Sequence, residues 1–155
     1  GGCALAAGRE HVTLSGRHDE LLAPAAWHAI RTVGKTDAPP PDADLVVEAT
    51  GSPSGLTEAL DLCRPLGTVV LKSTVNDPAR LNLSTAVVNE ITIRGSRCGD
   101  FHQAAEVLQR YPDMPLSRLV TDMFPAHEAE EAFRRAGESD ALKVLLDFTD
   151  CPGAG

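Results

Sequence analysis

The stretch DLVVEATGSPSG, residues 44–55, constrains the fold of this chain more than any other. Leu45 to Ala49 reads as a buried strand from its apolar run, and the Thr-Gly pair after it reads as a hinge. Ser52 is then placed to cap a helix with Pro53 at its first position. Leu56, Leu60 and Cys63 recur at i, i+4 and i+7 on one face, and Pro65 and Gly67 stop the helix. A strand that passes so abruptly into a helix opens a β–α–β unit. Its turn leaves bare backbone and a helix start facing whatever lies against it.

The rest of the chain repeats this alternation. His11 to Ser15 reads as a strand, followed by a helix-like stretch, DELLAPAAWHA, that Pro24 interrupts or begins. Ile30 to Val33, Thr68 to Leu71 and Ile91 to Arg94 read as further strands, and TDAPPPDAD as a Pro-rich surface loop. Strands alternating with helices predict an α/β fold with a doubly wound parallel sheet covered on both faces. In such sheets ligands bind outside the carboxyl ends of the strands. The turns Ser15–His18, Thr50–Ser52, Lys72–Thr74 and Ser96–Gly99 therefore line one rim, where Arg17, Lys72 and Arg97 outnumber Asp19. An elongated anionic ligand suits that charge.

Composition removes several alternatives. At 155 residues the chain is long enough for one sizeable core. Hydrophobic residues are 43%, but no apolar stretch approaches the roughly 20 residues that span a bilayer, so no membrane partner is expected. A net charge of −8 disfavours a nucleic-acid surface. Cys3, Cys63, Cys98 and Cys151 are scattered, with no ligand spacing, so no metal site is expected within this chain. Free thiols and a cytoplasmic setting are the expectation, with Cys63 as a small buried apolar residue. His11, His28, His102 and His127 are scattered and receive no chemistry. The opening GGCALAAG has neither a methionine nor a targeting pattern and reads as the interior of a longer protein, and the tail DCPGAG as frayed.

From Val12 to Phe148 the chain resembles the C-terminal half of the medium-chain dehydrogenase/reductase family, the zinc-type alcohol dehydrogenases. The stretches that carry the resemblance are VTLSGRHDELLA, DLVVEATGSPSGLTEALDLCRPLGTVVLKST, VVNEITIRGSRCG and FPAHEAEEAFRRAGESDALKVLLDF. It implies a Rossmann-like sheet and a nicotinamide dinucleotide, NADP or NAD, as cofactor. By resemblance, Gly16 and Arg17 meet the adenosine ribose, and Thr50 and Gly51 approach the cofactor's ribose. Lys72, Ser73 and Thr74 pass beside the nicotinamide, backbone amides of Ser96 and Cys98 meet its carboxamide beside Arg97, and Lys143 lies near the pyrophosphate. Plainer readings stand beside these. Thr50-Gly51 also reads as a tight turn, Lys72 as a solvated strand end and Arg97 as a surface partner of Asp100.

The departures from the family pattern define further expectations. The family's zinc-bearing catalytic domain lies outside this chain, as do the first strand of the nucleotide fold and its G-x-G-x-x-G turn, and CALAAG is shorter than a typical helix of about 11 residues. Residues 1–96 are expected to be a partial dinucleotide-binding domain. Residues 97–150 form the segment that returns to the catalytic domain, with apolar faces through Phe101, Ala105 and Leu108 and through Ala129, Ala132, Phe133 and Ala136, and 151–155 are a tail. No catalytic residue is assigned. Two readings follow. One is the cofactor-binding half of an oxidoreductase acting on a small alcohol or aldehyde, silent by itself; the other is a non-catalytic remnant that binds nucleotide or dimerises. A homo-oligomer is expected in either case, paired along the Ile91–Arg94 strand. Arg17, where an acidic residue would select NAD, points to NADPH.

Overall fold

A computed structural model describes residues 11–25, 30–74 and 82–149. The expectations for GGCALAAG, for the end of DELLAPAAWHA and for the tail fall outside these residues. In chain order the elements are β1 (Val12–Ser15), α1 (Asp19–Leu22), β2 (Ile30–Val33), β3 (Ala43–Glu48), α2 (Gly55–Leu62), β4 (Cys63–Leu71), α3 (Ser84–Val88), β5 (Thr92–Gly95), α4 (Phe101–Arg110), β6 (Val120–Pro125), α5 (Ala129–Ala136) and β7 (Lys143–Asp147). Every strand pair is parallel, in the α/β pattern that the alternation predicts. The chain divides into two compact units, residues 38–104 and residues 1–37 with 105–155.

The unit of residues 38–104 holds the sheet β3–β4–β5. Its core gathers Ala59, Leu60, Cys63, Val69, Ala86 and Ile91, with Val46 and Leu56 packed against them. Two expectations are corrected here. The helix begins at Gly55 rather than Pro53, because the Gly55 N–H donates to the Ser52 carbonyl (3.0 Å) and closes a turn over the Ser-Pro-Ser stretch first. It ends at Leu62, so Cys63, Pro65 and Gly67 belong to β4 and do not stop the helix. The register explains how a proline is accommodated in that strand. Ala43 lies opposite Cys63 but Leu45 opposite Thr68, so β4 bulges over the Arg-Pro-Leu-Gly stretch, with Leu66 at φ 60°. Gly67 is required there, since a Cβ would sit 2.6 Å from Cys63 Sγ and 2.8 Å from the Arg64 carbonyl. Cys63 itself is buried, and burial pushes its thiol up, as suits an inert apolar residue.

In the other unit β1 pairs with β2, from Val12 opposite Ile30 to Ser15 opposite Val33, and β6 pairs with β7. Helix α5 packs against β6 and β7, but through only part of the face that its apolar period suggests. Ala132 is buried while Phe133 is 76% exposed and Ala136 lies exposed. The buried side instead runs through Ala132 and Arg135, because Arg135 Nε pairs with Asp122 on β6 (2.9 Å) and its Nη1 with Asp140 (2.6 Å). On α4 no residue is buried, and Phe101 is 89% exposed. An amphipathic period orients a face without supplying the surface that covers it. Among the described residues no helix is long and apolar enough to cross a membrane.

Candidate functional site

The register of the three-stranded sheet gathers three strand exits on one edge. Glu48 lies opposite Leu71, and Leu71 opposite Gly95. The ladder continues one residue further, with Lys72 N–H donating to the Glu48 carbonyl (2.8 Å) and Ser96 N–H to the Leu71 carbonyl (3.0 Å). Thr50-Gly51, Lys72-Ser73-Thr74 and Ser96-Arg97-Cys98 therefore leave the sheet side by side, three of the four turns expected on one rim; the fourth, Ser15–His18, follows β1 in a separate sheet.

A carboxylate organises this edge. Glu48 is 4% exposed, and its Oε1 accepts from the Thr50 N–H (2.7 Å), the Thr50 hydroxyl (2.7 Å) and the Ser73 hydroxyl (2.9 Å). The Gly51 N–H donates to Ser73 Oγ (2.8 Å), and the Ser52 N–H to Thr50 Oγ1 (3.1 Å). Behind the network, a Cβ on buried Gly55 would meet Thr50 Oγ1 and lie 2.5 Å from Glu48 Oε1. Only glycine allows the helix start to come this close.

Burial pushes the Glu48 carboxyl up, but the hydrogen bonds from Thr50 and Ser73 outweigh it and hold the group below its ordinary value of 4.5. Its folded value thus lies below its unfolded one, so the stability it contributes is fully present above the unfolded value and is lost as pH falls through the folded value. Melting temperature followed from pH 7 downward should fall more steeply for the wild type than for Glu48→Gln once pH drops below about 4.5. Parallel profiles would remove Glu48 from the acid response.

Beyond this network the edge is bare and cationic. Gly51 adopts φ +66°, and a Cβ on Gly51, Gly95 or Gly99 would meet nothing within 4 Å. Lys72, Thr74, Ser96, Arg97 and Cys98 are exposed, and the Lys72 ammonium donates to the Arg97 carbonyl, which ties the β4 and β5 exits together. The Asp100 carboxylate is engaged at the start of α4, where it accepts from the His102 N–H (2.8 Å). The remaining candidates belong to the other unit. The Gly16 N–H donates to the Val33 carbonyl (3.2 Å), Arg17 is exposed beside it, and Asp19 opens α1. Lys143 is exposed at the start of β7, and its carbonyl accepts from the Thr121 hydroxyl (3.1 Å).

Reading Leu45 to Ala49 as apolar throughout passes over Glu48, the residue that holds the edge together. A signal was there: a lone carboxylate closing an apolar run, with a hydroxyl two residues on, is a buried acid with its donor beside it.

Parallel strands, crossover helices and a glycine-lined carboxyl edge define a Rossmann-like α/β protein. The chain belongs to the zinc-type alcohol dehydrogenase group of the medium-chain dehydrogenases, in its C-terminal half: the glucose dehydrogenase C-terminus family matches residues 25–148. It is similar to glucose 1-dehydrogenase 2 of Haloterrigena turkmenica, 32% identical over 114 residues that cover 68% of this chain and 32% of that protein. Among solved structures, L-idonate 5-dehydrogenase of Escherichia coli superposes with a TM-score of 0.82 at 24% identity, covering 95% of this chain and 45% of the other. Glucose dehydrogenase of Haloferax mediterranei, solved with NADP, Zn and gluconolactone, gives 0.72 at 22% identity over 90% of this chain and 44% of that one. The chain thus spans about a third of that curated relative and under half of those solved chains.

Proposed function

We propose that this chain supplies the cofactor-binding half of an NAD(P)-dependent oxidoreductase that moves a hydride between a small alcohol or aldehyde and the nicotinamide. The observation that carries this reading is the carboxyl edge of β3, β4 and β5, where bare glycine backbone opens on free space beside the exposed Lys72 and Arg97. A dinucleotide brings phosphates and flat rings that need close main-chain approach and positive charge, and this edge fits both. When bound, the dinucleotide supplies the hydride carrier. The chain's own residues bind and orient it: Thr50 and Gly51 beside a ribose, and Lys72 to Thr74 and Ser96 to Cys98 around the nicotinamide end. The Haloferax relative's NADP supports the cofactor class. Among the described residues no three His, Cys, Asp or Glu side chains converge as a metal site. Residues 97–150 are assigned to the segment that meets a catalytic domain, and the substrate pocket is built largely by that domain.

Arg17 selects NADPH in this reading, because the acidic residue that would bind both ribose hydroxyls of NAD is absent from the first positions after β1. Fluorescence titration should show tighter NADPH than NADH binding. Arg17→Ala should weaken NADPH by about 1–3 kcal/mol, the range for a charged hydrogen bond, and NADH by less. An equal loss for both would contradict the assignment.

A further inference from the structure

Glu48 poses a problem that a strand residue does not ordinarily pose. A buried carboxylate is costly unless satisfied, and an apolar residue would serve the core better. Among the described residues its donors, the Thr50 N–H and hydroxyl and the Ser73 hydroxyl, come from the turns after β3 and β4. The directions of these bonds are forced. The Gly51 N–H can only donate, so Ser73 Oγ accepts it; the ionised carboxylate can only accept, so the Ser73 hydroxyl donates to Glu48. Thr50 is oriented in the same way, between the Ser52 N–H and Glu48. The Ser73 hydroxyl is thereby engaged with the β3 exit, and the Thr50 hydroxyl with its own turn.

We infer that Glu48 and Ser73 act as positioning residues for the cofactor: the relay from the Gly51 N–H through the Ser73 hydroxyl to the Glu48 carboxylate fixes the β3 exit turn against the β4 exit turn. The inference rests on the cofactor reading above, and deepens it by assigning affinity to two side chains whose polar groups face the protein. Gly51, held at φ +66°, is the backbone that the relay presets. A turn already in its bound conformation loses less freedom when the ligand arrives.

The test compares wild type, Glu48→Gln, Ser73→Ala, the double variant and Ser73→Thr. Two quantities are read on the full chain: amide exchange at Thr50 and Gly51 without ligand, by NMR, and the Kd for NADPH, by fluorescence. Ser73→Ala should speed exchange at Gly51 and weaken NADPH at least tenfold. Ser73→Thr, which keeps the hydroxyl, should restore both. The double variant should bind no worse than the weaker single one, because both break one relay. Unchanged exchange at Gly51 in Ser73→Ala would overturn the relay. Altered exchange with an unchanged Kd, or additive losses in the double variant, would overturn the positioning role. A wild type with protected Gly51 that binds no NADPH would overturn the cofactor reading and the positioning role with it, leaving the hydrogen bonds intact.

Discussion

Leu60→Ala should destabilise the protein by about 2–5 kcal/mol, the range for truncating a well-packed leucine. Leu60 is 2% exposed in the cluster that joins α2 to β4 and α3, together with Ala59, Cys63, Val69, Ala86 and Ile91. Removing its branched end leaves a void that this short helix and a parallel strand cannot both close, since their backbones are tied by the ladder and by the helix itself. Urea unfolding followed by circular dichroism measures the loss as a lower midpoint with an unchanged slope. A change under about 1 kcal/mol would mean that the cluster is not the core of this unit.

Gly55→Val should cost about 3 kcal/mol, the upper part of the range for overpacking. The added carbons would fall on Thr50 Oγ1 and Glu48 Oε1, so the helix start or the hydrogen-bonded turn must move. Because that turn carries Gly51, NADPH affinity should fall along with stability. Gly95→Ala is the control: its Cβ meets nothing, so stability should change by no more than about 0.5 kcal/mol. The two substitutions separate crowding from the general effect of replacing a rim glycine. Equal effects would remove the packing argument for Gly55.

Five of the seven described strands were legible because apolar runs of that length have few alternatives: Val12–Ser15, Ile30–Val33 and Thr92–Gly95 fall within a residue of their expected places, whereas β6 and β7 carry no strand expectation. Where boundaries moved, a local conformation overrode a strong signal. Pro53 is suited to a first helical position, yet the chain spends the Ser-Pro-Ser stretch on a turn before Gly55 packs against Glu48. Pro65 and Gly67 read as helix breakers, and a strand bulge accommodates both. The placement of the β3, β4 and β5 exits on one edge followed from the parallel order alone, whereas the Glu48 network depends on a pairing register that no periodicity specifies. For α4 and α5, period marked an apolar stripe, but Arg135 and its carboxylate partners decided which side of α5 is buried.

Amide hydrogen exchange, read by mass spectrometry with and without saturating NADPH, tests most directly whether the β3, β4 and β5 exits receive the dinucleotide. Protection should rise in peptides that contain Thr50 to Ser52, Lys72 to Thr74 and Ser96 to Cys98, while a peptide from the exposed face of α5 stays unchanged. Unaltered exchange at all three exits, at a concentration where fluorescence reports full binding, would contradict the assignment of this edge as the cofactor site.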